Sequence, residues 1–199
     1  MSFQLTLVLL LLQPLVDLVI EPPPTFNKSF APNAIGLNQS STLLLTIDNS
    51  ASALAANNLD FTDNFPNGII YNLGSPVNNT CGGSVSATNV FGASTVSLTG
   101  GSGSAGSSCT IQVSVAGSLV GSHVNTTGDL SSSSGNSGTA SATLVVNPQP
   151  GFSKSFATDP IFIGGTSTLT FAIDNSASTV MTTSLNFSDT LPAGLSVAN

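Results

Sequence analysis

An internal repeat constrains this sequence more than any other feature. Residues 26–73 align with residues 152–199 at a constant offset of 126 without a gap, and 20 of the 48 aligned positions are identical. Self-similarity at a fixed offset indicates that one structural unit occurs more than once along the chain. The match extends backward, because residues 18–20 followed by Pro22 mirror residues 144–146 followed by Pro148. We therefore expect a module over residues 22–147 and the amino-terminal part of a second, truncated module over residues 148–199.

Within the repeated unit, apolar residues occur at every second position. Leu43, Leu45 and Ile47 follow this period, and the residues 126 positions later keep the same parity. Further alternating groups are Leu59 and Phe61; Val96 and Leu98; Ile111, Val113 and Val115; and Ala142, Leu144 and Val146. Short alternating runs separated by turn residues are typical of antiparallel strands with one buried face. The sequence therefore predicts an all-β fold, an immunoglobulin-like (Ig-like) two-sheet antiparallel β-sandwich in tandem repeat with a truncated second copy.

Two kinds of connecting segment accompany these strands. Proline-rich stretches at residues 21–24 and 147–151 occupy equivalent module boundaries, and such spacers favour an extended polyproline II conformation. Tracts rich in Gly and Ser at residues 100–108 and 131–138 are expected to form long exposed loops within the first module.

The first 21 residues allow two interpretations. Residues 5–12 form an apolar run of signal-peptide length, but no Lys or Arg precedes it and no small-residue cleavage site follows. The alignment of residues 18–20 with residues 144–146 favours the last strand of a preceding repeat instead. Residues 1–21 are thus expected to be a degenerate signal or anchor, or such a strand, and any membrane contact would be made through them.

Charged residues are scarce, and this scarcity excludes several classes of function. The chain has 2 basic residues, 9 acidic residues and 1 His, with a net charge of −7, whereas 40% of its residues are hydrophobic. Nucleic-acid binding is excluded because phosphate neutralisation requires Lys or Arg. Global disorder is disfavoured, because the apolar residues suffice to bury a core. No catalytic residue and no cofactor is predicted.

Cys81 and Cys109 are the two cysteines of the chain, and neither belongs to a metal-binding Cys-x-x-Cys pair. They are either two separate buried thiols of a cytosolic protein or a disulfide of an exported one. The Ser-, Thr-, Asn- and Gly-rich composition favours the disulfide, which implies an oxidising compartment and an extracellular location.

Lys28 is the most informative candidate site residue. It lies between Phe26 and Phe30 at strand parity, so in a strand all three side chains point to one face. Asp63 continues the inward apolar row of its own segment, which makes it a candidate partner for the lysine. Lys154 and Asp189 repeat the pair 126 residues later.

Three interpretations of Lys28 remain open. Its ammonium group could reach solvent at a sandwich edge, or it could form a structural ion pair with Asp63, since an unpaired buried ammonium is very costly. The third interpretation is an intramolecular isopeptide bond. Desolvation can turn a buried lysine into a nucleophile, with Asn125 as the acceptor amide and Asp63 as the assisting carboxylic acid.

The other polar residues favour structural roles. Asp60, Asp63 and Asn64 are candidate calcium ligands, but EF-hand spacing is absent and Asn186 replaces Asp60 in the second unit. Turn formation by these short side chains is the favoured interpretation, so no metal site is predicted. A glycosidase carboxylate pair lacks an accompanying Glu. His123, the single candidate His base, is expected to be structural or exposed.

The order of several motifs resembles a known family. These motifs are "FNKSFAP", "STLLLTIDNS", "LDFTDNFPNG", "NNTCGG", "GSSCTIQVSV", "NTTGDLS" and "SATLVV". Together they resemble the repeated Ig-like modules of large bacterial cell-surface proteins, a conserved repeat domain of unknown function. The resemblance implies secretion, tandem β-sandwiches and a stalk or adhesive role.

The expected function is therefore a non-enzymatic extracellular repeat module that acts as a stalk, spacer or adhesive segment of a bacterial surface protein. Its expected partners are neighbouring repeats of the same array. The alternative is a surface module whose loops bind an extracellular carbohydrate or protein ligand. One Tyr and no Trp offer little aromatic surface for a sugar.

Overall fold

A computed structural model describes residues 20–198 of the chain, and this part contains fifteen β-strands and no helix. The strands are β1 (Thr25–Ala31), β2 (Ala34–Gly36), β3 (Ser40–Asp48), β4 (Ala56–Asn64), β5 (Ile69–Tyr71), β6 (Asn78–Asn79), β7 (Ser84–Val90), β8 (Ala93–Gly103), β9 (Ser108–Gly117), β10 (Gly121–Thr126), β11 (Ser131–Ser132), β12 (Gly135–Asn136), β13 (Ser141–Asn147), β14 (Gly151–Phe156) and β15 (Leu169–Asp174).

Two five-stranded sheets account for most of the first module. One has the order β1–β3–β9–β5, with β6 also paired to β9, and the other has the order β12–β11–β4–β8–β7. A shorter third sheet has the order β10–β13–β2, and its β13–β2 pair is parallel whereas β10 and β13 are antiparallel. Side chains from all three sheets enter one hydrophobic core.

The core follows from the two-residue period of the sequence. Along β3, Leu43 and Leu45 are fully buried and Ile47 is 1% exposed, while the residues between them are only partly buried. In the other large sheet, Leu59 of β4 and Leu98 of β8 are buried in the same core. The predicted all-β, Ig-like sandwich is therefore confirmed.

The two tracts expected to be long exposed loops are exposed or half-buried at most positions, but the prediction that they are loops is wrong. β8 continues to Gly103 and β9 begins at Ser108, so residues 100–108 are mostly strand around a short turn. Gly101 is buried, and its lack of a side chain matters, since a Cβ atom there would lie 2.9 Å from Cδ2 of Leu98. Residues 131–138 contain the small hairpin β11–β12, which extends the sheet beyond β4. Glycine and serine here permit close backbone approach rather than an open loop.

The second unit reproduces the first hairpin of the module. β14 pairs with β15 in the register that β1 has with β3, since Lys154 lies opposite Phe171 just as Lys28 lies opposite Leu45. The aromatic contact is also repeated, because ring centroids are 5.0 Å apart for Phe26 and Phe61 and 5.1 Å apart for the corresponding second-unit pair.

The expectation of a signal, anchor or strand over residues 1–21 falls almost wholly on residues 1–19, which lie outside the described part. Glu21 is described, and its Oε2 accepts a hydrogen bond from the backbone N–H of Ala53. Residues 20–198 contain no helix that is long and apolar enough to cross a membrane.

Candidate functional site: a buried lysine, aspartate and asparagine

β1 carries Lys28 into the core. Phe26 and Phe30, which flank it at strand parity, are each 7% exposed and belong to the hydrophobic core. Because alternate side chains of a strand share a face, the Lys28 side chain follows them inward. It is 0% exposed.

β4 places Asp63 opposite this lysine. Leu59 and Phe61 precede it on the same face of the strand, with exposed fractions of 0% and 4%, and Asp63 itself is fully buried. The alternation that makes β4 a strand thus ends its inward row on a carboxylate.

β10 supplies the third member, Asn125. This strand has an inverted pattern: the Asn125 side chain is fully buried, whereas its apolar neighbour Val124 is 60% exposed. A polar group therefore occupies the position that an apolar residue takes on the other inward rows.

The three side chains meet at one oxygen atom. The Lys28 Nζ donates a hydrogen bond to Oδ2 of Asp63 at 2.6 Å, and Nδ2 of Asn125 donates to the same Oδ2 at 3.2 Å. Residues 28, 63 and 125 come from three different sheets. The cluster therefore ties all three sheets of the first module together.

Burial changes the proton affinities of both charged groups. Removal from water lowers the pKa of the Lys28 ammonium, although the charge of Asp63 and its hydrogen bond act in the opposite direction. Removal from water also raises the pKa of the Asp63 carboxyl, against the charge of Lys28 and the hydrogen bonds from Lys28 and Asn125. Both shifts favour the uncharged amine and the uncharged carboxylic acid.

Two oxygen atoms of the cluster have no hydrogen-bond donor. Among the described residues, Oδ1 of Asp63 and Oδ1 of Asn125 are buried without a partner. An unpaired buried acceptor is costly. A proton on the Asp63 carboxyl would add a donor to this cluster.

The structure thus brings Lys28 and Asn125 to the same carboxylate oxygen of Asp63. The first interpretation of Lys28, in which the ammonium group reaches solvent, is wrong, because the Lys28 side chain is fully buried. The reason is geometric, because Nζ meets the buried Asp63 carboxylate at 2.6 Å instead of solvent.

The corresponding pair of the second unit is exposed. Nζ of Lys154 lies 2.7 Å from Oδ1 and 2.8 Å from Oδ2 of Asp189, and the two side chains are 35% and 25% exposed. Lys154 thus donates to a carboxylate as Lys28 does, but at a position that solvent can reach.

The predicted disulfide is confirmed. Cys81 and Cys109 are bonded, with their Cα atoms 5.0 Å apart, and both are nearly fully buried. Cys109 lies in β9, and Cys81 follows β6, so the bond fastens the segment before β7 to the first sheet.

The candidate calcium ligands have other partners. Oδ1 of Asp60 accepts a hydrogen bond from the backbone N–H of Gly100, and Oδ1 of Asn64 accepts one from Thr95 Oγ1. Within residues 20–198, no group of three or more His, Cys, Asp or Glu side chains is arranged to hold a metal ion. His123 is half-buried, and its Nε2 lies 2.7 Å from the backbone oxygen of Leu119.

A repeated turn residue was missed by sequence reasoning. Asn49 is buried, and its Nδ2 donates to the backbone oxygen atoms of Leu54 at 2.8 Å and Ser104 at 3.1 Å. Its counterpart Asn175 donates to the backbone oxygen of Val180 at 3.0 Å. The signal was available, because "IDNSAS" is identical in the two units.

A second missed residue is Asn147, the last residue of β13. Its Nδ2 donates to the backbone oxygen of Ile35, and its Oδ1 accepts hydrogen bonds from Thr179 N–H at 2.8 Å and Thr179 Oγ1 at 3.1 Å. It therefore contacts both units. A single asparagine before a proline-rich stretch carries no pattern that would identify this role.

Comparison with solved structures finds β-sandwich proteins of low sequence identity. A cohesin module from a Clostridium perfringens family 33 glycoside hydrolase matches with a TM-score of 0.44 and 11% identity, over 63% of this chain and 99% of that one. The collagen adhesin (CNA) from S. aureus matches with a TM-score of 0.40 and 12% identity, over 61% and 48%. BcpA, the major pilin subunit of Bacillus cereus, matches with a TM-score of 0.41 and 11% identity, over 78% and 54%.

Sequence comparison gives a family. No curated protein matches the chain. A family model matches residues 24–146 and again residues 150–199. These two matches cover most of the sequence, and the chain therefore belongs to the family described as Domain of unknown function (DUF7933).

Proposed function

We propose that the chain is a non-enzymatic segment of an extracellular bacterial surface protein, in which successive β-sandwich modules act as a stalk. A stalk needs modules that hold their shape and junctions that transmit orientation from one module to the next. The motif order described above and the disulfide, which suits an oxidising compartment, support the extracellular location.

The junction at Asn147 carries this proposal. Its backbone oxygen accepts a hydrogen bond from Leu37 N–H at 2.9 Å, and its side chain holds Ile35 on one side and Thr179 on the other. Asn147 itself is only 3% exposed. A buried side chain that is hydrogen-bonded to both units opposes free rotation at the boundary.

The segment after Asn147 supports the same role. Pro148 and Pro150 restrict the backbone between β13 and β14, since each proline fixes its own φ and the residue before it favours an extended conformation. The connection is also short, with three residues between the two strands. Stiff, short connections keep neighbouring modules in a defined orientation.

Residual dipolar couplings of the ¹⁵N-labelled 199-residue chain would test the junction. We expect couplings from residues 25–147 and from the β14–β15 hairpin to fit a single alignment tensor. In Asn147→Ala the two sets should require different tensors, whereas Asn186→Ala, whose side chain bonds locally to Ser184, should resemble the wild type. Two independent tensors in the wild-type chain would contradict the stalk proposal.

A further inference from the structure

The Lys28 cluster brings an amine and a carboxamide to the same carboxylate oxygen. Lys28 Nζ and Asn125 Nδ2 both donate to Oδ2 of Asp63, at 2.6 and 3.2 Å. These residues are distant in sequence, so only the folded module brings them together. A carboxylate between an amine and an amide is placed to take a proton from one and deliver it to the other.

The surroundings of the cluster favour nucleophilic attack by Lys28. The Lys28 and Asp63 side chains are 0% exposed, and Asn125 is fully buried as well. Phe26 and Phe61 precede Lys28 and Asp63 on the same strand faces, and their rings pack against each other with centroids 5.0 Å apart. A lysine is a nucleophile only as the uncharged amine, and an apolar, water-free environment favours that form.

The unpartnered oxygen atoms indicate where charge would be stabilised. Asn125 Oδ1 lacks a donor among the described residues, as does Asp63 Oδ1. Attack on the Asn125 carboxamide would place negative charge on this amide oxygen. A protonated Asp63 would be the nearby donor to such a charge.

We propose that Lys28 and Asn125 become joined by an intramolecular isopeptide bond, with Asp63 as the proton carrier. In the ion pair, Lys28 Nζ first transfers a proton to Asp63, which leaves an amine and a carboxylic acid. The amine then attacks Cγ of Asn125 to form the Nζ–Cγ bond. Asp63 donates its proton to Nδ2, the Cγ–Nδ2 bond breaks to release one molecule of ammonia, and the Asp63 carboxylate takes the second proton from Nζ, which becomes the amide nitrogen. No oxidant or other reactant is required.

The bond would connect β1 of the first sheet to β10 of the third. Most of the module, including the Cys81–Cys109 disulfide, lies between the two joined residues in the sequence. The inference goes beyond the stalk proposal and does not depend on it, since bond formation requires only the folded first module.

Lys154 provides a control within the same chain. It has the equivalent carboxylate, Asp189, but its pair is partly exposed. Among the described residues no carboxamide donates a hydrogen bond to Asp189, whose side-chain partner is Lys154 alone. Lys154 should therefore stay a free amine.

Tryptic digestion of the reduced, denatured wild-type chain tests the proposal directly. Lys28 and Lys154 are the only sites for trypsin, since the chain has no Arg. Trypsin does not cleave after an acylated lysine. We expect cleavage after Lys154 but not after Lys28, and an uncleaved fragment, residues 1–154, with a mass about 17 Da below that of its sequence through the loss of ammonia. Complete cleavage after Lys28 in wild-type protein that was folded before it was denatured for the digest would overturn the proposal.

Variants separate the bond from other reactions. In Asn125→Ala, cleavage after Lys28 should be restored because the acceptor is absent. In Asp63→Asn, it should be restored because the proton carrier is absent. Succinimide formation at Asn67–Gly68 also releases ammonia, but it would leave Lys28 cleavable. An uncleaved Lys28 in Asn125→Ala would contradict the assignment of the acceptor, and one in Asp63→Asn would contradict the role of the carboxylate. The wild-type digest alone decides whether the bond forms. The two variants assign the acceptor and the proton carrier when their far-UV circular dichroism spectra match that of the wild type, because the three side chains meet only in the folded module.

Discussion

At the scale of single residues, the first module places a charged pair where an Ig-like sandwich usually has apolar side chains. The side chains of Lys28 and Asp63 are both fully buried and share a 2.6 Å hydrogen bond. The attraction between buried charges rarely exceeds their desolvation cost by much, but removal of one partner leaves an uncompensated charge. The pair is therefore sensitive to loss of either member.

Replacement of Asp63 by Asn should destabilise the module strongly. Measured in an Asn125→Ala background, in which no isopeptide bond can form, we expect a loss of about 3–5 kcal/mol in the free energy of unfolding. Urea denaturation provides the measurement. The matched control is Asp189→Asn, where the exposed pair with Lys154 should contribute about 0–1 kcal/mol. Equal small losses at the two sites would contradict the burial of Lys28.

The same variant should be stabilised by alkaline pH. Without the Asp63 carboxylate, burial lowers the pKa of Lys28 in the folded state unopposed, whereas the unfolded chain retains the ordinary value of 10.5. Between these two pKa values the unfolded state binds one more proton, so the free energy of unfolding increases as pH rises toward 10.5. Urea denaturation from pH 7 to pH 10.5 measures this slope, which should disappear when Lys28 is replaced by Met.

Sequence reasoning named all three residues, but strand parity supported the inward direction of only two. Strand parity next to Phe26 and Phe61 indicates that Lys28 and Asp63 face inward. Asn125 lies in a strand whose inward residue is polar and whose outward residue, Val124, is apolar. Alternation alone assigns such a strand to the wrong face, because the deciding contact comes from Asp63 in another sheet.

At the scale of elements, two features hold the segment between β5 and β7 against the sheets. The disulfide joins it to β9, and Gly83 allows it to lie against β8. A Cβ atom on Gly83 would lie 2.5 Å from the backbone oxygen of Thr99 and 2.6 Å from the backbone nitrogen of Gly101. Backbone atoms in a paired strand cannot move aside as a side chain can.

Loss of the disulfide should weaken the module without changing its fold. For a loop of this length, with the two cysteines 28 positions apart, the chain-entropy model gives about 3–4 kcal/mol. Guanidinium denaturation of Cys81→Ser/Cys109→Ser, compared with the oxidised parent, measures the difference. Both proteins should have the same far-UV circular dichroism spectrum, and a changed spectrum would show that the bond determines the fold rather than its stability.

Gly83→Ala should destabilise the module more than the same substitution at Gly106, another glycine with a left-handed backbone conformation. Gly83 and Gly106 have the same φ of +65°, but a Cβ on Gly106 meets nothing within 4 Å. Gly106→Ala thus measures the conformational cost alone, about 1 kcal/mol, and Gly83→Ala should add a further ~1–3 kcal/mol for the backbone contact. Thermal denaturation of the two variants gives the comparison. Equal losses would show that the backbone contact has no cost.

The elements themselves were largely predictable, but their pairing was not. The alternation of Leu43, Leu45 and Ile47 identifies β3, and that prediction is confirmed by their burial. The parallel pairing of β13 with β2 and the two-residue strands β11 and β12 were not predicted. Such short strands are defined by their partners, and a Gly- or Ser-rich strand carries no apolar period by which it could be recognised.

At the scale of the whole molecule, the two units share local structure and are hydrogen-bonded to each other through one residue. The second unit repeats the hairpin register, the aromatic contact and the lysine–carboxylate pair of the first. Asn147 fixes the boundary between the units from both sides. In this account a module resists extension because β1 and β10 are covalently joined and the disulfide lies within the joined region.

Force spectroscopy of the chain, held at its two ends with the disulfide reduced, measures whether β1 and β10 are covalently joined. If Lys28 and Asn125 are joined, the roughly 100 residues between them cannot extend under force. At about 3.6 Å per residue, the extended chain is then shorter by about 35 nm. The Asn125→Ala variant should release this length. We predict that the wild-type chain extends about 35 nm less than the variant; the same total extension in both proteins would contradict the account.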